Sequence, residues 1–249
     1  MELSFIRNLF SFRLYLSFEA QSTKKSQTLH INYPPEGLID PWRLCRLKKI
    51  AGEANSYSEL KGILVDIGCN DCETTGFLKE DMFEYVGLDI SKDALKRGVG
   101  RQRILCDACK MPIKDEVANA TFCVEVIEHV EDQGVLIAEI SRILKTDGKL
   151  FISTPNSESL FSKIQKWIHV TRFHNWCFFE YHFQICSPEK LNRLLEIYGF
   201  KVLRKARSIA IPPFHATKRK KVFQIASLLS NVVPADLQEL LIWTVAKRR

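Results

Sequence analysis

The sequence predicts an α/β domain on a doubly wound, mostly parallel sheet of seven strands, and three observations predict it. Short apolar runs alternate with helical segments from residue 62 onward, the pattern of strands joined by crossover helices. Successive runs end in a glycine or an acid at Gly68, Asp89 and Asp107, as expected where a parallel sheet presents its strand ends to a ligand. The chain has 249 residues, 46% of them apolar, enough for one core-rich domain.

The elements follow in order. Residues 1–20, MELSFIRNLFSFRLYLSFEA, are rich in Phe and Leu but are interrupted by Arg7 and Arg13. The charges and the absence of a small-residue cleavage site argue against a secretory signal. An interfacial amphipathic helix making peripheral membrane contact, an organelle presequence, and a helix covering a groove of its own domain all fit this stretch. Residues 21–39 are polar with Pro-Pro-Glu-Gly punctuation, so 1–39 is an extension and linker, and 40–249 a single domain. Asp40-Pro41 opens a helix to about Ala54. Strands are expected at 62–68 (GILVDIG), 84–90 (EYVGLDI), 102–107 (QRILCD), 120–127 (ATFCVEVI) and 149–154 (KLFIST). The clearest helix spans 131–145, where Val135, Ile137, Ile140, Ile143 and Leu144 form a stripe that Asp147-Gly148 ends. An aromatic-rich insertion, 157–186, follows the fifth strand, either as a buried helix or as a lid over a substrate pocket. Ser187-Pro188 opens a further helix to about Gly199, and strands at 200–209 and 239–246 complete the sheet.

The net charge of +7 is concentrated. From Lys201 to Arg249 there are 11 basic and 2 acidic residues, including Lys218-Arg219-Lys220-Lys221. Such a region can meet RNA or acidic lipid, or simply be a solvated surface. No run of 18 uncharged apolar residues appears, so no membrane-spanning helix is expected. The eight cysteines are scattered, several inside strand-like runs where a thiol is a small hydrophobe. That usage points to a reducing, cytoplasmic setting.

Residues 66–72 read DIGCNDC, which fits half a zinc site, a redox pair or a ligand-holding loop. Gly68 lets backbone approach a ligand, and Asp89 at the next strand end can accept ribose hydroxyls. With a second acid at Asp107 and no Gly-Lys-Ser/Thr loop, the rim suits a nucleoside with a cationic centre better than a pyrophosphate. Here the chain resembles the class I S-adenosylmethionine-dependent methyltransferases, in particular the broad quinone-biosynthesis-like group. The motifs carrying the likeness are ILVDIGCNDC, YVGLDIS, CDACKMPIKDEVANATFCVEVIEHVED, ISRILKTDGKLFISTPN and YHFQICSPEKLNRLLEIYGFKV. The resemblance implies a Rossmann-like methyltransferase fold and S-adenosyl-L-methionine as cofactor. It implies that Asp66, Gly68, Cys69 and Asn70 form the cofactor loop. By the same likeness Asp89 and Ile90 lie at the ribose, Asp107 and Ala108 at the adenine, and Glu125 near the methionine end. The sequence departs from the family at Asn70 and Cys72, where the loop usually carries further glycines; Asn tolerates a left-handed backbone and Cys does so poorly.

Cys69/Cys72 and Cys106/Cys109 have the local spacing of a Cys₄ zinc site. On this topology, however, they follow two strands that flank a third, roughly 10 Å apart, so a shared ion would draw both loops across the nucleoside pocket. Glu125, Glu128 and His129 form a second cluster that resembles the Glu-x-x-Glu-His metal site of some O-methyltransferases, with Mg²⁺ or Mn²⁺ as the candidate ion and His174 or His182 as a further ligand. Without a metal, His129 is the candidate catalytic base. Three function classes stand: a methyltransferase of a small-molecule acceptor with O-methylation favoured, a 2′-O RNA methyltransferase, and a catalytically inactive protein of this fold.

Overall fold

The computed structural model describes residues 41–98, 102–158, 186–208 and 240–247. Helix α1 (Pro41–Asn55) precedes β1 (Gly62–Ile67) and β2 (Phe83–Asp89). Then come α2 (Lys92–Arg97), β3 (Gln102–Leu105) and β4 (Ala118–Val124). Helix α3 (Gln133–Ile143), β5 (Leu144–Pro155), α4 (Pro188–Ile197), β6 (Phe200–Ser208) and β7 (Leu240–Lys247) complete the order. The seven strands form one sheet in the order β3-β2-β1-β4-β5-β7-β6. All neighbours are parallel except β7, which runs antiparallel to both β5 and β6. The expected doubly wound, mostly parallel sheet is therefore present. Residues 1–40 and nearly all of the aromatic insertion 157–186 lie outside the described residues, as do Lys218–Lys221.

Alternation along the strands sends side chains to two cores. One face carries Val65, Ile67, Val86, Leu88 and Cys123 against Leu136, Ile137 and Ile140 of α3 and Leu191 and Leu195 of α4. The other carries Leu64, Tyr85, Phe122 and Phe151 against Ile50 and Ala54 of α1. Phe122 and Phe151 meet edge to face at 5.5 Å. Each fully buried side chain of this size contributes about 1.5–3 kcal/mol, so both helix layers are held chiefly by apolar burial. The helix starts follow from capping. Ser91 accepts from Ala94 N–H, Asp132 from Gly134 and Val135 N–H, and Ser187 from Lys190 N–H.

Between β1 and β2 stands only a 3₁₀ helix, Glu73–Phe77; two threonines and a glycine are poor material for a longer helix. Two local expectations are revised. Helix α3 ends at Ile143, and Asp147-Gly148 lies inside β5 rather than beyond the helix. Asp147 has φ 63° there, and the β4–β5 register shifts beside it, as at a bulge. Strand β4 stops at Val124 because Glu125 takes φ 55° and breaks the extended backbone.

Part of the basic C-terminal region is used by the fold. Arg204 pairs with Glu53 at 2.9 Å, Lys205 Nζ lies 4.5 Å from the centre of the Trp243 ring, and Lys247 donates to Glu116 and to the Leu144 carbonyl.

Candidate active site

The parallel register brings four strand ends to one edge. Asp66 pairs with Gly87, Ile67 with both Leu88 and Cys123, and Asp89 with Leu105. The loops leaving β1, β2, β3 and β4 therefore emerge side by side, and they carry Gly68 to Asn70, Asp89, Asp107 and Glu125.

The loop after β1 folds back onto β2. Gly68 and Cys69 N–H groups both donate to the Leu88 carbonyl, at 2.8 and 3.0 Å. Gly68 has φ 71°, and a Cβ there would run into Val126 Cγ2, so this glycine serves both conformation and close packing. Asn70 and Cys72 are also left-handed, with φ 54° and 64°. The departures from glycine thus leave the loop in a glycine-like path and place a Cβ in it twice. Asn70 N–H donates to Asp89 Oδ2 at 2.8 Å, and Ser91 N–H to Asp89 Oδ1 at 2.7 Å. The Asn70 side chain accepts from Arg97 Nη2 at 3.2 Å.

Asp66 sits beneath the loop rather than in it. It is buried and accepts from Tyr85 Oη at 2.6 Å. Burial, followed by the Asp66 charge, pushes the Tyr85 phenol up, so it stays a donor. Cys69 is buried with its sulfur against the β2 backbone; only its backbone can face a ligand. Ile90 is half-buried. Asp107 Oδ1 accepts from Cys109 N–H at 2.8 Å, and Ala108 packs against the core. Arg142 steadies the stretch that follows, donating to the carbonyls of Met111 and Ile113 and to Glu139 and Asp115. Met111 N–H in turn donates to Glu139.

At the β4 end the chain makes a 3₁₀ turn, Ile127–His129, in place of an α-helical continuation. Glu125 accepts from Ser153 Oγ at 3.0 Å and keeps some solvent contact. Glu128 is fully buried; Oε2 accepts from Thr154 Oγ1 at 3.2 Å, and Oε1 has no hydrogen-bond partner. Burial, and then the neighbouring Glu125 charge, raise the Glu128 carboxyl well above the usual carboxylate range. Burial raises Glu125 too, against the Arg46 charge and the Ser153 hydroxyl. His129 is half-buried, its N–H donating to the Val126 carbonyl.

The metal expectation is corrected by this turn. Among the described residues, no group of three His, Cys, Asp or Glu side chains could hold a metal ion, the trio Glu125, Glu128 and His129 included. One α-helical face would have gathered them, but the left-handed Glu125 and the tighter turn send Glu128 inward to Thr154 and Glu125 across to Ser153. His174 and His182 lie outside the described residues. The two cysteine pairs follow β1 and β3, which flank β2 as expected. Cys69, Cys72, Cys106 and Cys109 are thiols with no disulfide among them. Burial pushes the Cys106 thiol up to about 12.

Sequence reasoning missed Tyr85, Ser91, Arg97, Ser153 and Thr154 as neighbours of the site residues. Only Ser91 left a readable signal, as a helix cap two residues beyond the acid.

A seven-stranded sheet with a close-approach glycine and acids around one rim defines a doubly wound α/β protein with its candidate site at the strand ends. The chain belongs to the methyltransferase domain family, whose model matches residues 42–205. It is 28% identical over 138 residues to a malonyl-[acyl-carrier protein] O-methyltransferase of Hamiltonella defensa, covering 51% of this chain and 52% of that protein. It is 30% identical over 158 residues to the mitochondrial ubiquinone biosynthesis O-methyltransferase of Bos taurus, covering 56% of this chain and 41% of that one. The chain thus spans about half the length of the curated relatives it matches. A methyltransferase structure from Archaeoglobus fulgidus superimposes with a TM-score of 0.58 at 20% identity, over 83% of this chain and 94% of that one; at this identity it shows the fold. Among the described residues no helix is long and apolar enough to cross a membrane.

Proposed function

We propose that this protein is an S-adenosylmethionine-dependent methyltransferase of a small-molecule acceptor, with O-methylation favoured by its relatives' chemistry. The observation that carries the reading is the Asn70–Asp89 hydrogen bond, which joins the glycine loop to the acid at the end of β2. Each carboxylate oxygen has more than one lone pair, so Asp89 suits a pair of ribose hydroxyls while it braces the loop. Gly68 leaves room for the nucleoside, Asp107 and Ala108 stand at its base end, and Glu125 faces its amino-acid end.

The bound cofactor supplies a methyl group already activated by a sulfonium. The protein's own task is to align an acceptor and exclude water. His129 is proposed to take the acceptor's hydroxyl proton. No step of this mechanism is assigned to Mg²⁺ or Mn²⁺: Glu125 accepts from Ser153 and Glu128 from Thr154, and among the described residues no three potential ligands are grouped to hold a metal ion. A cytoplasmic setting is proposed from the scattered cysteines of the sequence. Residues 40–249 are proposed as one domain, with 157–186 as the acceptor cover. The RNA reading loses some of its support where Arg204, Lys205 and Lys247 are engaged within the fold.

Titration calorimetry with S-adenosylhomocysteine, followed by tracing labelled methyl from the cofactor into a metabolite extract, tests the proposal. Binding and label in a small molecule support it. Binding with label only in RNA would shift the acceptor class, and no binding would leave an inactive protein of this fold.

A further inference from the structure

We propose that Cys69 and Cys72 are a redox-modification site, closed into an intrachain disulfide by hydroperoxides, and that closure weakens ligand binding at the rim they underlie. The second half of this statement rests on the cofactor reading above; the first does not.

The two sulfurs lie 3.7 Å apart and share a hydrogen bond. The backbone closes the same turn, with Cys72 N–H donating to the Cys69 carbonyl at 2.9 Å. A disulfide needs about 2.05 Å between sulfurs, so the pair is roughly 1.7 Å from bonding distance. Conformation does not call for a cysteine here. Cys72 holds φ 64°, a left-handed conformation that a Cβ disfavours and glycine does not. Both sulfurs also lie over the β2 backbone: a Cβ on Gly87 would stand 2.6 Å from Cys69 Sγ and 3.0 Å from Cys72 Sγ. The sulfurs sit over β2 at Gly87, so the proposed closure draws residues 69 and 72 together above that strand and bears on the backbone between them. Asn70 lies inside that stretch, and its N–H is the donor to Asp89.

The surroundings distinguish the two thiols. The hydrogen bond shared with Cys69, followed by Tyr85 and the Arg103 charge, lowers the Cys72 thiol against its burial. The same pairing and burial raise Cys69. In the proposed step Cys72 attacks as the thiolate, and with 3% exposure it favours a small oxidant. Its sulfur attacks one oxygen of hydrogen peroxide; the O–O bond breaks, and the departing hydroxide takes a proton to become water. The Cys69 sulfur then attacks the resulting sulfenic acid; the S–O bond breaks, and a second water leaves with the Cys69 proton. Two thiols are oxidised by two electrons in all, and one peroxide is reduced to two waters.

The test treats the full chain with hydrogen peroxide, without cofactor, and maps it by mass spectrometry beside calorimetry with S-adenosylhomocysteine. The expected result is a Cys69–Cys72 cross-linked peptide, two hydrogens lighter and reversed by dithiothreitol. Affinity should fall about tenfold or more and return on reduction. Cys72→Ser and Cys69→Ser should lose the response to peroxide, and Cys109→Ser should keep it. Oxidation of other cysteines without the cross-link overturns the site. The cross-link with unchanged affinity overturns its effect on the rim. Failure of the reduced protein to bind S-adenosylhomocysteine counts against the cofactor reading instead, while the mass readout still decides the site.

Discussion

Asn70 N–H donates to Asp89 Oδ2 at 2.8 Å, across 19 residues of chain. The bond ties the loop after β1 to the acid at the end of β2, so a change at either residue reaches both the loop and the proposed ribose position.

Asp89→Ala removes a charged acceptor of two backbone N–H groups and, on the proposed reading, of two ribose hydroxyls. Cofactor affinity should fall by about 1.5–3 kcal/mol, as for hydrogen bonds to a charged group. Calorimetry measures this directly, and an unchanged affinity would remove Asp89 from the site.

Asn70 separates conformation from side-chain contact. Asn70→Gly keeps the left-handed path and the N–H to Asp89 but loses the bond from Arg97. Asn70→Val puts a branched side chain at φ 54° and should cost about 1–2 kcal/mol of stability. Thermal melts should rank the glycine variant above the valine variant; equal melting would show that the loop is not held left-handed.

Gly87→Ala probes the floor beneath the two thiols. Its Cβ would stand 2.6 Å from Cys69 Sγ, an overpacking that should cost about 1–3 kcal/mol. Denaturant midpoints measure it. A neutral substitution would mean that the sulfurs have room to move without disturbing the loop.

Glu128 makes stability depend on pH. Its carboxyl is raised in the folded protein, first by burial and then by Glu125. From the unfolded value of about 4.3 up to the folded one, the native state holds a proton that the unfolded chain has released. Stability therefore falls as pH rises through that window. Glu128→Gln, which mimics the protonated form, should melt higher at neutral pH and show a flatter profile. Parallel profiles for the two proteins would exclude Glu128 as the source.

His129→Ala should slow turnover about 10²–10⁴-fold, recovering in part at higher pH, as for loss of a general base. Cofactor affinity should stay the same, and chelator should leave the parent enzyme's turnover unchanged. Full activity of the variant would reduce His129 to a packing residue. A chelator-sensitive parent would bring back the metal reading, with His174 or His182 to be tested as ligands.

The sheet was legible in the chain because its signals are local. GILVDI, FEYVGLD and ANATFCV are apolar runs of strand length, and Ser187-Pro188 is a helix start read within four residues. Asp89 and Asp107 could be placed on one rim because parallel strands put their carboxyl ends on one edge whatever the side-chain details. Spacing alone left Cys69-x-x-Cys72 between zinc, redox pair and ligand loop. Strand order decided part of that: with β2 between β1 and β3, Cys106 and Cys109 belong to another loop. The direction of Glu128 also needed the fold. One left-handed residue, Glu125, turns the chain at the end of β4, and where the next carboxylate points then depends on Thr154, 26 residues away. The bonds Tyr85–Asp66 and Asn70–Asp89 are of the same kind. Periodicity reports which side of its own element a residue occupies, and only the packed sheet decides which residue of another element it meets.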